Sequence, residues 1–147
     1  AVGGWHEDYM RWEDWNLGIR LLLFTDKIVW IKRPPLVRVY LHADSITGYR
    51  YAPNASDILR AIAHAHADVE RSDSPCKRRL HRLLRYKQMV VAGLCRKEGS
   101  PLGAEIYAST MKESRGDTLL KCILPLVYRY AAIGGRGSAI LANLLLH

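Results

Sequence analysis

Residues 75–97 have an amphipathic pattern that a helix with one buried face satisfies best. The apolar residues of the segment recur along one helical stripe, and they are Leu80, Leu83, Leu84, Val91 and Leu94. Arginines occupy the opposite side of the same helix. Since an apolar stripe is stabilised mainly by packing against other elements, the rest of the chain must fold around this segment. The Ser74-Pro75 pair is expected to start the helix.

The same helix carries the excess basic charge of the chain. Eight basic residues and no acidic residue lie within positions 76–97, and the rest of the chain has fourteen of each sign, so the net charge of +8 belongs to this one element. Guanidinium groups suit phosphates and carboxylates because their planar fork donates two parallel hydrogen bonds. We predict an anion-binding surface formed by Arg78, Arg79, Arg82, Arg85, Arg96 and Lys97. A plain solvated face is the alternative, although such faces usually mix both signs.

Further helices are predicted on both sides of this one. After Pro53, they are expected to start at Asn54 or Ser56, after Ser100-Pro101, at Asp117 and at Ser138. Pro125 should kink or split the helix that Asp117 starts. With the basic helix, these segments predict a bundle of about five helices over residues 54–147.

Residues 19–51 have the pattern of a small sheet. Residues 19–24 are apolar apart from Arg20, and residues 36–41 are rich in β-branched and aromatic side chains. Turn signals at residues 25–27 and at Pro34-Pro35 separate these runs. The predicted fold is therefore α+β and helix-dominant, with a small N-terminal antiparallel sheet over about 19–51 and a single domain over 1–147.

The first sixteen residues carry an aromatic stripe. Trp5, Tyr9 and Trp12 share one face of a hypothetical helix, and Trp15 follows. Because tryptophan is costly to leave in water, we expect residues 1–16 to form a docking segment. Docking on the chain's own core and docking on a partner both fit the pattern. Trp5, Tyr9, Trp12 and Trp15 are the candidate partner-docking residues.

No combination of residues points to catalysis or to a metal site. The nucleophile motif G-x-S-x-G is absent, and so is C-x-x-C. His64 with Asp68 and His66 with Glu70 have i,i+4 spacing, which offers two ligands in each case but no third. We therefore predict no catalytic residue, no metal and no cofactor, and we expect the protein not to be an enzyme.

The cysteines favour a reducing compartment. Cys76, Cys95 and Cys122 are odd in number and widely spaced, which argues against a disulfide framework. Cys95 and Cys122 lie beside apolar residues and are expected to be small buried side chains. We expect an intracellular location, on the mitochondrial matrix side or in the cytoplasm. A chain that begins with Ala1 rather than methionine would fit an organellar protein with a processed presequence, and equally a cleaved polyprotein or a shortened chain.

These features favour a non-catalytic structural or accessory subunit of a larger assembly, with the basic helix contacting an anionic partner. The expected partners are other protein subunits, while nucleic acid and an anionic membrane surface stay open as alternatives. No small-molecule substrate is implied. The alternative function is nucleic-acid binding, including a viral matrix or nucleoprotein-like role. No apolar run approaches the length of a membrane span.

Overall fold

The structure, a computed structural model, describes residues 4–25, 27, 29, 50–135 and 142. Within these residues it contains five α-helices and one short 3-10 helix, Ala52–Asn54. The α-helices are α1 (Glu13–Phe24), α2 (Ala55–Arg71), α3 (Lys77–Lys97), α4 (Leu102–Glu113) and α5 (Thr118–Ala132). No helix of the described chain combines the length and the apolar character needed to cross a membrane.

The basic helix α3 is the central element of the fold. Helices α2, α4 and α5 pack on it, and α1 packs on α2. Leu84 and Val91 are buried, as the apolar stripe predicts, while the other three stripe residues are half-buried. The second half of α3 is buried on most sides, because residues 89–93 and Cys95 are all buried in succession. A helix surrounded in this way belongs to the interior of a domain rather than to its surface.

Glycine allows two neighbouring helices to approach α3 closely. A Cβ atom added at Gly93 would lie 2.4 Å from the Cβ of Ala131 on α5. A Cβ atom added at Gly103 of α4 would lie 2.7 Å from the carbonyl oxygen of Ala92. Because these distances are shorter than van der Waals contact, any larger side chain would force the helices apart.

The predicted N-terminal sheet is not supported. Residues 19–24, predicted as its first strand, form the second half of α1, and no strand occurs in the described ranges. Most of the other predicted strand residues, within 28–49, lie outside the described residues. A short apolar run fits a strand and a buried helix equally well, so the pattern of residues 19–24 alone led to the wrong prediction of a strand. The α+β prediction is therefore wrong, and the described fold is helical.

The helix start predicted at Asp117 is confirmed, whereas the split predicted at Pro125 is not found. Asp117 caps α5, since its carboxylate accepts a hydrogen bond from the Leu120 N–H at 3.3 Å. Pro125 does not split α5, which continues through it to Ala132. Of the two cysteines expected to be buried, Cys95 is buried and Cys122 is exposed. The predicted helix over 139–146 lies outside the described residues except for position 142.

A candidate anion-binding groove beside the central helix

A groove with a volume of about 710 Å³ lies between α2, α3 and the start of α5. Arginines, histidines and carboxylates dominate its lining, which comprises Ala63, His66, Glu70, Arg78, His81, Arg82, Arg85, Glu113 and Asp117. The three arginines share one face of α3 because they are separated by four and three residues. The sequence placed this arginine face opposite the leucines and thus toward solvent, but α2 and Asp117 form the walls beside it.

Arg82 is bound in a fork to the capping residue of α5. Its Nε donates to Oδ2 of Asp117 at 2.6 Å, and its Nη2 donates to Oδ1 at 3.1 Å. The hydrogen bond from Arg82 holds the pKa of Asp117 below its usual range. Both side chains are largely shielded from water, with exposed fractions of 22% and 12%. Arg82 therefore ties α3 to α5, and its charge is already neutralised.

Two histidines form a stacked pair on one wall of the groove. The Nδ1 atoms of His66 and His81 are 2.7 Å apart, and their ring planes are inclined by 8°. Burial, together with the electrostatic influence of neighbouring His81 and Arg85, lowers the pKa of His66 to about 4. The Nδ1–Nδ1 hydrogen bond needs one unprotonated nitrogen, which the neutral His66 supplies. On the other side of the His81 ring, Nε2 lies 3.1 Å from Oε2 of Glu70.

Arg85 and Arg78 are the other two arginines that line the groove. Arg85 is half-buried, and its Nε is a buried donor that has no hydrogen-bond partner among the described residues. Arg78 is exposed at the rim of the same groove. Because leaving a buried donor unpaired costs about 1–3 kcal/mol, an anion that accepts from Arg85 would recover this loss. The groove thus combines a residue with an unpaired buried donor and an exposed guanidinium at its rim.

The predicted set of six basic residues does not form one surface. Arg78, Arg82 and Arg85 line the groove, whereas Arg79 is exposed but does not line it. The guanidinium of Arg96 lies over the ring of Tyr128, 5.2 Å from its centroid. Exposed Lys97 is its neighbour in the last turn of α3. These last two cations lie about 27 Å along the helix from Arg78, by its rise per residue.

No match to this chain was found among protein-family models, curated proteins or solved structures. No known fold or activity is therefore carried over to it.

The aromatic N-terminal segment docks on the chain itself without forming the predicted helix. Residues 4–12 are not helical, and α1 begins only after Trp12, whose φ of 64° is left-handed. Tyr9 is buried, Trp12 and Trp15 pack against the core, and Trp5 is exposed. The ammonium of Lys87 lies 4.6 Å from the centroid of the Trp12 ring, and burial lowers the pKa of this lysine.

The histidines meet partners that their spacing along α2 does not indicate. His64 lies beside Asp8, with Nε2 3.0 Å from Oδ2, rather than pairing with Asp68. His6, Asp8 and His64 form a cluster whose potential metal-ligand atoms all lie within 4.8 Å of one another. Spacing along a single helix indicates only ligands from that helix, so this combination of two separate segments was not predicted from the sequence.

Proposed function

We propose that this protein is a non-catalytic helical subunit of a larger assembly, and that the groove beside α3 binds a carboxylate of a partner protein. The observation that carries the proposal is the buried Nε–H of Arg85, which has no acceptor among the described residues and lines the groove with exposed Arg78. A guanidinium and a carboxylate form strong, charge-assisted hydrogen bonds when the site is shielded from water.

The charges of the groove favour a single carboxylate over the phosphate backbone of a nucleic acid. Glu70, Glu113 and Asp117 line the groove together with the arginines. A polyanion that follows the groove would approach these acidic groups, and like charges repel each other at short range. A single carboxylate meets fewer of these acidic groups than a polyanion that runs along the groove.

An exposed apolar stripe on α5 supports a protein partner. Leu119, Leu126, Tyr130 and Ile133 lie within one narrow face of the helix and are 38%, 62%, 38% and 81% exposed. The stripe begins in the first turn after Asp117, which lines the groove. Contiguous exposed apolar surface is typical of protein interaction sites. A partner segment could therefore place its carboxylate in the groove and its apolar side chains along α5.

We propose no reaction for the groove. Its two histidines are hydrogen-bonded to each other, and none of the described lining residues is a serine, threonine or cysteine. The expected intracellular, reducing location, on the mitochondrial matrix side or in the cytoplasm, remains part of the proposal. It is supported by Cys76 and Cys122, which are free and exposed, because such thiols are oxidised readily in an oxidising compartment.

Sedimentation of extracts from cells of the protein's own source, expressing tagged variants, tests this function. We expect the wild-type chain to sediment in a complex much larger than its own 16.7 kDa, with or without nuclease. The double variant Arg78→Gln/Arg85→Gln and the single variant Leu126→Glu should both lose the complex. Arg115→Gln and Leu102→Glu are the matched controls, since both residues are exposed and lie outside the groove and the stripe.

Circular dichroism of the purified variants ensures that loss of the complex is not loss of folding. A wild-type chain that sediments as a monomer would overturn the proposal. A complex that nuclease dissolves would instead support the nucleic-acid alternative. A complex that survives in both the double variant and Leu126→Glu would show that neither surface holds the partner.

A further inference from the structure

Two imidazoles and a carboxylate converge where the N-terminal segment crosses α2. His6 and Asp8 come from this segment, and His64 comes from the middle of the helix. Oδ2 of Asp8 lies 3.0 Å from Nε2 of His64, and its Oδ1 lies 4.0 Å from Nδ1 of His6. The two imidazole rings are 4.3 Å apart between centroids. One potential ligand atom from each side chain thus lies within 4.8 Å of those of the other two.

Hydrogen bonds to the backbone hold the N-terminal segment in this position. Arg60 donates to the carbonyl oxygen of Asp8, and the N–H of Met10 donates to Oδ2 of Asp57 at 3.3 Å. Both side chains that make these contacts belong to α2, as His64 does. Two α2 side chains therefore hold the backbone of the N-terminal segment beside His64, which reduces the ordering that a bound ion would require.

The surroundings leave polar atoms without partners. Nε2 of His6 and the hydroxyl oxygen of Tyr9 are both buried and have no hydrogen-bond partner among the described residues. The Tyr9 ring lies 5.7 Å from the His6 ring and 5.5 Å from the His64 ring, between centroids. Nε of Arg20 lies 4.0 Å from Oδ2 of Asp68, so the carboxylate of Asp68 compensates the nearby positive charge of Arg20.

We propose that His6, Asp8 and His64 form a binding site for a divalent transition-metal ion, with zinc as the best fit. Two imidazole nitrogens and one carboxylate oxygen match the three protein ligands of an open zinc site, in which water supplies the fourth. Calcium and magnesium are disfavoured because they prefer all-oxygen ligand sets. A bound ion would link the N-terminal segment to α2, and this role is independent of the groove.

Zinc titration of the chelator-treated chain by calorimetry tests the site. The titration uses the Cys76→Ser/Cys122→Ser background, because both cysteines are exposed and thiolates bind zinc. We expect one zinc ion per chain, and a loss of affinity of about tenfold or more in Asp8→Asn and in His64→Gln. His81→Gln is the matched control because it removes a histidine from the other cluster, and Arg78→Gln/Arg85→Gln should also retain zinc binding.

Hydrogen–deuterium exchange supplies a second readout. Zinc should slow exchange in residues 4–12 of the parent chain but not in Asp8→Asn, whose side chain is 48% exposed and whose fold should survive the change. Lack of saturable zinc binding at micromolar concentrations would overturn the proposal and leave the cluster as a hydrogen-bonded contact. Zinc binding lost in His81→Gln but kept in both ligand variants would also overturn it, by moving the site to the groove.

Discussion

At the scale of single residues, Asp117 stabilises the fold through one local contact and one contact that is distant in sequence. It caps α5 through the N–H of Leu120, and it binds both donor groups of Arg82 on α3. The cap is local, whereas the fork joins residues 35 positions apart. The two contributions to stability can be separated because asparagine caps helices about as well as aspartate but carries no charge.

The first prediction therefore concerns Asp117→Asn. The variant should lose about 1.5–3 kcal/mol of unfolding free energy near neutral pH, the typical value of hydrogen bonds to charged groups. Because folding lowers the pKa of Asp117, its contribution is present above the ordinary carboxyl range and is lost as the pH falls through the folded pKa. The difference from wild type in urea unfolding should thus shrink below about pH 4. Asp73→Asn in the exposed α2–α3 connection should change little, and equal losses in both variants would contradict the assigned role.

At the scale of elements, the bundle depends on how closely α5 approaches α3. The contact is made where Gly93 faces Ala131 and the carbonyl oxygen of Tyr128. Helix propensity alone would favour alanine at this position, since glycine is a poor helix former. The retained glycine is therefore explained by the close approach of the two helices.

Comparison of Gly93→Ala with Gly18→Ala distinguishes the effect of helix packing on stability from the effect of helix propensity. In Gly93→Ala the new Cβ would lie 2.6 Å from the Tyr128 carbonyl oxygen, so we expect a loss of about 1–3 kcal/mol. A Cβ at Gly18 in α1 would meet nothing within 4 Å, so Gly18→Ala should stabilise the fold by about 0.4–1 kcal/mol. Denaturant unfolding measures both. An increase in stability for Gly93→Ala would show that α3 and α5 do not pack so closely.

At the scale of the whole molecule, histidines join separate parts of the chain. The His66–His81 pair connects α2 with α3, and His64 connects α2 with the N-terminal segment. Both contacts lie in the amino-terminal part of the described fold, whereas the packing of α3 with α4 and α5 is mainly apolar. Acidification should therefore weaken the His66 contact between α2 and α3 before it affects the apolar packing of the bundle.

The corresponding prediction is that the fold loses stability as the pH falls from about 6.5 to about 4. Since folding lowers the pKa of His66 to about 4, the unfolded chain binds a proton in this interval that the folded chain does not. The contribution of the neutral ring is therefore complete above pH 6.5 and is lost toward pH 4. In His66→Gln, the unfolding free energy should depend less steeply on pH over this range. The same slope in both proteins would exclude His66 as the source.

Much of the helical framework was determined by the sequence itself. The apolar stripe predicted α3 and the burial of Leu84 and Val91 because periodicity along a helix is a local property. The capping by Asp117 was predictable for the same reason, since the cap and its partner lie three residues apart. The concentration of basic residues on one helix could also be read directly, although the direction in which they point could not.

The tertiary structure alone decided which side chains meet. Arg82 was predicted as an outward anion-binding residue, yet it binds Asp117, and His64 binds Asp8 from a segment 56 residues away. The helical state of residues 19–24 was equally beyond the local pattern, because a short apolar run satisfies a strand and a helix alike. Such contacts depend on how whole helices dock, and docking depends on the fit of many side chains distant in sequence. Local periodicity records which face of a helix is apolar, but it does not record which neighbour covers that face.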